Sequence, residues 1–190
     1  MTVSAVQARH AAAHAAPGVS VHHGDWLGNG FAAARFDRAY AIKSSEHMPD
    51  KQRFFDEAFR TLRPGGLLGV CAWLTRRDPR GWEVRHLLEP ICPEGRLPGL
   101  GDEVEYRRMA AQAGFATLTV KDLSDRVRRT WSVCARRLPG KLATERRYRR
   151  FLLDRTAPNR VFALTLVRLL VAYRTRSMRY GLLLFAKPPA

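Results

Sequence analysis

The sequence predicts an α/β domain built on a mostly parallel sheet. Two apolar runs and the segment between them carry that expectation. Arg38–Ile42 and Leu67–Trp73 read as buried strands. Between them Phe54, Phe55, Ala58, Phe59 and Leu62 recur at three- and four-residue spacing, the period of a helix with one apolar face. Strand, loop, helix, turn and strand make a βαβ unit.

The elements follow in order. Ser4–Ala16 is an alanine-rich helix that Ser4 can cap and Pro17-Gly18 ends. Val19–His23 alternates apolar and polar residues and reads as a strand closed by Gly24-Asp25-Trp26. Leu27–Arg35 is a connection. After the first strand of the central unit, the polar loop Lys43–His47 leads to a helix opening near Asp50. Arg63-Pro64-Gly65-Gly66 stops that helix, because proline cannot continue it and glycine accepts positive φ. Beyond Trp73, Gly81–Leu88 reads as a short helix and Pro90–Gly101 as an irregular segment. Asp102 with Glu105 forms a capping box for a helix to Ala113, which Gly114 closes. Phe115–Asp122 alternates as a strand. Ser124–Arg150 is basic, Phe151–Tyr173 is helical in period with a break at Ala157-Pro158, and Tyr180–Ala186 is a last strand.

At 190 residues the chain suits one domain, 1–190, with its own core. No apolar run is long enough to span a bilayer, and no leader pattern opens the sequence. Cys71, Cys92 and Cys134 lie far apart without a paired motif, so no metal is expected and a reducing cytoplasm is the expected compartment. The formal charge of +16 raises polyanions as partners. Most of the excess is arginine scattered in ones and twos, as a compositionally biased genome produces. Nucleic acid is therefore not the expected partner, while peripheral membrane contact stays open.

The ordered string from Phe36 to Trp73, FDRAYAIKSSEHMPDKQRFFDEAFRTLRPGGLLGVCAW, resembles class I S-adenosylmethionine-dependent methyltransferases. The EHMPDK variant is most similar to the tocopherol and related small-molecule group. The C-terminal half, including RSMRYGLLLFAKP, resembles the same group. The resemblance implies a Rossmann-like sheet, an antiparallel last strand, and a helical cap at about 124–178 over the acceptor pocket. It also implies a first strand and a glycine-rich cofactor loop that this sequence does not contain. The chain thus reads as N-terminally truncated, whether through a misplaced start codon or a shortened gene. Val19–His23 and Arg38–Ile42 would then lack the strand between them, leaving a gap, a rearranged pairing or a marginal fold.

The implied function is methyl transfer from S-adenosyl-L-methionine to a lipophilic or aromatic small molecule, impaired if the missing loop is needed. By resemblance, Thr2, Ser4 and Gln7 lie near the cofactor's ribose and methionine end, and Asp25 and Trp26 near its adenine. The residue chemistry agrees, since Asp25 can accept from the exocyclic amine and Trp26 offers a stacking face. Asp25 could equally bond its own backbone, and Trp26 could be core. Methyl transfer from a sulfonium is an in-line displacement, so positioning dominates and an acidic acceptor also needs a proton removed. His47 and Glu46, at the carboxyl end of a strand, are the catalytic candidates: His47 as base or as a helix-capping residue, Glu46 as substrate-orienting or cofactor-contacting. The alternative function is a non-catalytic basic module binding nucleic acid or anionic membrane through Arg126–Arg160. An exposed helix at Val161–Tyr173 would favour membrane, and a buried one the enzyme.

Overall fold

The computed structural model describes residues 1–154 and 162–189, with the side chains of 162–164 outside the description. The predicted break at Ala157-Pro158 and the arginines Arg155 and Arg160 lie outside the described residues.

Five strands form one sheet, β1 (Phe36–Ile42), β2 (Leu62–Thr75), β3 (Gly101–Asp102), β4 (Ala116–Asp122) and β5 (Met178–Ala186). The order along the sheet is β1-β2-β5-β4, with β3 paired to the far end of β2. β1 and β2 are parallel, from Phe36 opposite Leu62 to Ile42 opposite Cys71, and β5 runs antiparallel to both β2 and β4. This is the α/β sheet that the resemblance implied, with its antiparallel last strand.

Around the sheet stand α1 (Ala5–Ala13), α2 (Lys51–Thr61), α3 (Gly81–Glu83), α4 (Glu89–Glu94), α5 (Glu103–Gln112), α6 (Ser124–Thr144), α7 (Arg146–Leu153) and α8 (Phe162–Thr175). The caps read from sequence are in place. Ser4 accepts from the Gln7 N–H, Asp50 from Arg53, and Asp102 from Glu105, whose carboxylate accepts from the Asp102 N–H in return. α2 buries Phe54, Phe55 and Ala58 against Leu68, Val70, Leu183 and Phe185 of the sheet, and Tyr106 and Ala110 of α5 complete that core. A second cluster joins Trp73 and Tyr180 to Leu87, Ile91, Leu169 and Tyr173 on the other side.

Three expectations need correction. Val19–His23 is no strand: only an isolated parallel bridge joins Thr2 to His23, and Val19 is 59% exposed. A strand persists only with a neighbour to take its hydrogen bonds, and none lies beside it. β1 is accordingly a sheet edge, paired with β2 alone, and Tyr40 and Ile42 on it are 80% and 60% exposed. Of the three outcomes foreseen for this region, the structure has the gap. The Arg63–Gly66 turn lies inside β2, where the ladder shifts register between Phe36 and Arg38. Gly65 has φ +76° there, and a Cβ on Gly66 would come within 2.8 Å of the Arg63 carbonyl oxygen. Lastly, the helical path from Gly81 runs past Leu88 to Glu94 through a π turn at Val84–Leu88. Pro90 falls at the junction of the π turn and α4, and the His86 carbonyl four residues before it accepts from the Arg168 guanidinium instead.

Candidate functional site

The loop after β1 is the centre of the site. Lys43 adopts φ +54°, a costly conformation for a residue with a Cβ. Ser45–His47 then forms one 3-10 turn. These backbone choices send neighbouring side chains to different places. Ser44 faces a groove, Lys43 and Glu46 turn beneath Trp73, and His47 faces solvent. The Ser45 hydroxyl meets the Tyr106 hydroxyl at 3.2 Å, fixing the loop to α5.

The groove lies between β1 and the segment from Gly18 to Phe31, with a cavity volume of about 550 Å³. Trp26, Phe54, Ala41, Ser44 and Met48 are among its walls. The Trp26 indole N–H donates to the Phe54 carbonyl at 3.2 Å, which fixes the ring plane. Asp25 accepts from the Leu27 N–H at 3.0 Å, the local backbone bond weighed for it above. Thr2, Ser4 and Gln7 bond one another: the Thr2 hydroxyl donates to Gln7 Oε1 at 2.9 Å and accepts from the Ser4 N–H at 3.2 Å. The volume and the aromatic wall fit a nucleoside. Among the described residues, no glycine-rich strand-to-helix turn stands beside β1 for the amino-acid end of a cofactor. The residues present therefore fit the adenosine part of S-adenosylmethionine.

On the other side of the loop is a buried, closely packed group of aromatic and charged side chains. Glu46 is fully buried, with Oε1 3.6 Å from Lys43 Nζ and 3.5 Å from the Trp73 N–H, which donates to it. Lys43 Nζ lies 2.8 Å from the Trp73 ring centroid. Trp131 of α6 packs on Trp73 with ring centroids 5.8 Å apart, and Trp73 pairs with Tyr180 across β2 and β5. Tyr173 of α8 closes the cluster. The predicted pair is thus divided, with Glu46 inside and His47 exposed, its Nδ1 3.4 Å from the Arg96 carbonyl oxygen. Helix α2 is capped by Asp50, so capping is not the role of His47.

Sequence reading passed over Lys43, Trp73, Trp131, Tyr173 and Tyr180. Only Trp73 had a local signal, as the end of an apolar strand at the carboxyl edge. Lys43 stands in the same loop as Glu46 without a signal of its own, and Trp131, Tyr173 and Tyr180 come from elements far apart in the chain.

Burial sets the titration of this cluster. Desolvation pulls Lys43 down from 10.5 to about 8, against the pull of the Glu46 carboxylate. Burial pushes the Tyr173 and Tyr106 phenols well above their usual range, and Tyr180 to about 12. Between about pH 8 and 10.5 the unfolded chain therefore holds more protons at Lys43 than the folded one, so stability rises with pH across that window. From about pH 10 upward the folded chain keeps phenolic protons that the unfolded chain loses, and stability falls. Urea midpoints at pH 7.5, 9.5 and 11 should pass through a maximum near the middle value. The Lys43 part of the rise should be about 1 kcal/mol, reduced by its partly exposed stem. Lys43→Met should flatten the rising limb. Equal slopes in both proteins would show a solvated ammonium.

Residues 2–70 match the family described as "Methyltransferase domain". The chain is 29% identical to the chloroplastic tocopherol O-methyltransferase of Arabidopsis thaliana over 147 residues, 72% of this chain and 42% of that protein. It is 35% identical to 24-methylenesterol C-methyltransferase 2 of Oryza sativa subsp. japonica over 103 residues, 53% of this chain and 28% of that one. It therefore spans less than half of these relatives. Among solved structures, the 4+2 cyclase SpnF superposes with TM-score 0.73 at 25% identity, over 100% of this chain and 66% of that one. The geranyl diphosphate C-methyltransferase of Streptomyces coelicolor A3(2), solved with Mg2+, geranyl diphosphate and S-adenosyl-L-homocysteine, superposes with TM-score 0.71 at 19% identity, over 97% and 60%.

Proposed function

We propose that this chain is an S-adenosylmethionine-dependent methyltransferase that holds the adenosine of that cofactor in the groove beside β1 and a lipophilic or aromatic acceptor against the cluster around Trp73; the match of residues 2–70 to the methyltransferase family supports the reading. One observation carries the reading. The single loop after β1 gives Ser44 to the groove and Lys43 and Glu46 to the cluster under Trp73, so the groove and the cluster stand on two sides of one loop. A group donor on one side and its acceptor on the other is the arrangement an in-line transfer needs.

When bound, the cofactor supplies a methyl group on a sulfonium. The chain's part is to orient and to exclude water. Trp26 offers its face to the adenine, and Asp25 stands next to it for the amine. Thr2, Ser4 and Gln7 can join only by exchanging the bonds they make to one another. Glu46 orients the acceptor from the buried side of the loop, and His47 can take a proton at the solvent side. The described helices α6, α7 and α8 form the cap in this reading, with Trp131 and Tyr173 as its inward contacts.

The rival basic module draws on α6 and α7, which bury no residue and carry ten basic side chains against one acidic, Asp125. Against it, Leu166, Leu169, Ala172 and Tyr173 of α8 are buried, the arrangement expected of the enzyme. Among the described residues no helix is long and apolar enough to cross a membrane, and no group of three His, Cys, Asp or Glu side chains could hold a metal ion.

Saturation-transfer NMR with S-adenosylhomocysteine tests the proposal on this chain. The expected result is strong transfer to the adenine protons and weak transfer to the amino-acid methylenes, with Trp26→Ala weakening binding at least tenfold, about 1.4 kcal/mol. No transfer, or the same affinity in the variant, would sink it.

A further inference from the structure

The wall of the groove that carries Trp26 is not part of the sheet. Trp26–Gly28 is a single 3-10 turn, and the chain then runs irregularly to Phe31 with Gly30 at φ +66°. Such a segment keeps one shape only through bonds made to it from elsewhere. Among the described residues those bonds come from α2. Arg53, Glu57 and Arg60 recur at four- and three-residue spacing, so they stand in a row beside the core face of Phe54, Phe55 and Ala58. Arg53 Nε donates to the Leu27 carbonyl, Arg60 Nη1 to the Phe31 carbonyl, and the Trp26 indole to the Phe54 carbonyl.

Asn29 joins the row to the wall. Its Nδ2 donates to the Trp26 carbonyl at 2.9 Å and to Glu57 Oε2 at 2.8 Å. Its Oδ1 accepts from the Phe31 N–H at 2.9 Å and from Arg60 Nη2 at 3.2 Å. An amide side chain has two N–H donors and two lone pairs, and here all four are used. Glu57 Oε2 also accepts from Arg60 Nη2 at 2.6 Å, and that bond holds the Glu57 carboxyl below its usual pKa, so it remains an accepting anion.

An asparagine that only shapes a turn bonds its own backbone, as Asn29 does with the Phe31 N–H. The bonds to Glu57 and Arg60 go further and tie the turn to α2. The bond to the Trp26 carbonyl then fixes the backbone of the residue whose ring lines the groove. Trp26 is therefore held at both ends, at its carbonyl by Asn29 and at its indole N–H by α2. A ring held in this way needs no ordering when a flat ligand stacks on it, which favours binding.

We propose that Asn29, clamped by Glu57 and Arg60, is the positioning residue for Trp26 and thereby sets the affinity of the groove for adenine. The inference rests on the proposed function and deepens it, from the ring that meets the adenosine to the network that places that ring. Asn29, Glu57 and Arg60 do not line the groove themselves, so they act through Trp26.

Asn29→Asp is the probe, because it keeps the shape and sets an acceptor against the Trp26 carbonyl and the Glu57 carboxylate. In the free chain the Trp26 indole N–H cross-peak, identified by its loss in Trp26→Ala, should move, while those of Trp73, Trp82 and Trp131 stay. S-adenosylhomocysteine binding should weaken about tenfold. In the Trp26→Ala chain the same substitution should cost nothing further, since no ring is left to place. Combining Asn29→Asp with Glu57→Gln returns one amide and one carboxylate to the pair, donor and acceptor reversed, and should recover part of the affinity. Equal losses with and without Trp26 overturn the inference, since Asn29 would then support the fold in general. An unmoved Trp26 peak overturns it too, as does a double variant that binds no better than Asn29→Asp. Glu57→Gln alone carries the test if Asn29→Asp does not fold: it should move the same peak and weaken binding by a smaller factor, and no change in either overturns the inference. A wild-type chain that binds no S-adenosylhomocysteine overturns the proposed function and this role with it. A wild-type chain that binds, but no better than Asn29→Asp, overturns this inference alone.

Discussion

Replacing Phe55 with alanine should lower the unfolding free energy by about 4 kcal/mol, because it opens a large cavity in the core that joins α2 to the sheet. Phe55 is completely buried, and its ring stands edge-on to those of Phe54, Tyr106 and Phe185, at centroid distances of 5.0, 5.9 and 5.6 Å. Edge-to-face pairs add to the transfer energy of the ring, so truncation loses both. The three partners come from α2, α5 and β5, and they cannot all move inward to refill the space. The effect reaches the site, because Tyr106 holds the Ser45 hydroxyl and so fixes the loop that carries Lys43 and Glu46. Urea unfolding gives the number directly, with a lower midpoint and an unchanged slope. A loss below about 1 kcal/mol would mean that α2 does not pack on the sheet as described.

Glu83→Ala should cost about 3 kcal/mol. Glu83 is 2% exposed, and its Oε2 accepts from the Arg76 guanidinium at 2.8 Å and from the Arg80 N–H at 2.7 Å. Burial raises its pKa, yet the Arg80 N–H, the Thr175 hydroxyl and the Arg76 charge together hold it below the usual carboxylate value. Removing the carboxylate leaves the Arg80 amide without an acceptor and the Arg76 guanidinium unpaired, the costly way to break a buried pair. Because Arg76 is 35% exposed, part of the loss is recovered by hydration. The same depressed pKa predicts that the wild-type advantage over Glu83→Ala is present above the unfolded carboxylate value and shrinks as pH falls through the folded one. Paired urea titrations at pH 7 and pH 3 would reveal this. A difference between the two proteins that is the same at both pH values would rule out an ionised Glu83.

Much of this architecture is local and was therefore legible in the sequence. Ser4, Asp50 and Asp102 start helices because each carries an oxygen within reach of an N–H three residues on, and no distant residue is needed for that bond. The apolar spacing of Phe54, Phe55 and Ala58, and the continuous run in β2, give the βαβ unit for the same reason. Val19–His23 has the alternation of a strand, but a strand also needs a bonded neighbour. That partner is a matter of tertiary structure, so the segment lies irregular and β1 is left as an edge. The site divides in the same way. Glu46 and His47 are adjacent in sequence and were both candidates for the site, His47 as base and Glu46 as orienting group, yet the turn at Ser45–His47 buries one and exposes the other. Lys43 is one polar residue in a polar loop until φ +54° turns its ammonium under Trp73. Its neighbours Trp131, Tyr173 and Tyr180 arrive from α6, α8 and β5, more than 80 residues away, so no local pattern could announce them. Hydrogen bonds between near neighbours and the repeat of apolar residues belong to the chain itself. Which side chains are taken out of water together belongs to the packed whole, and here that decides where the charge in the site is held.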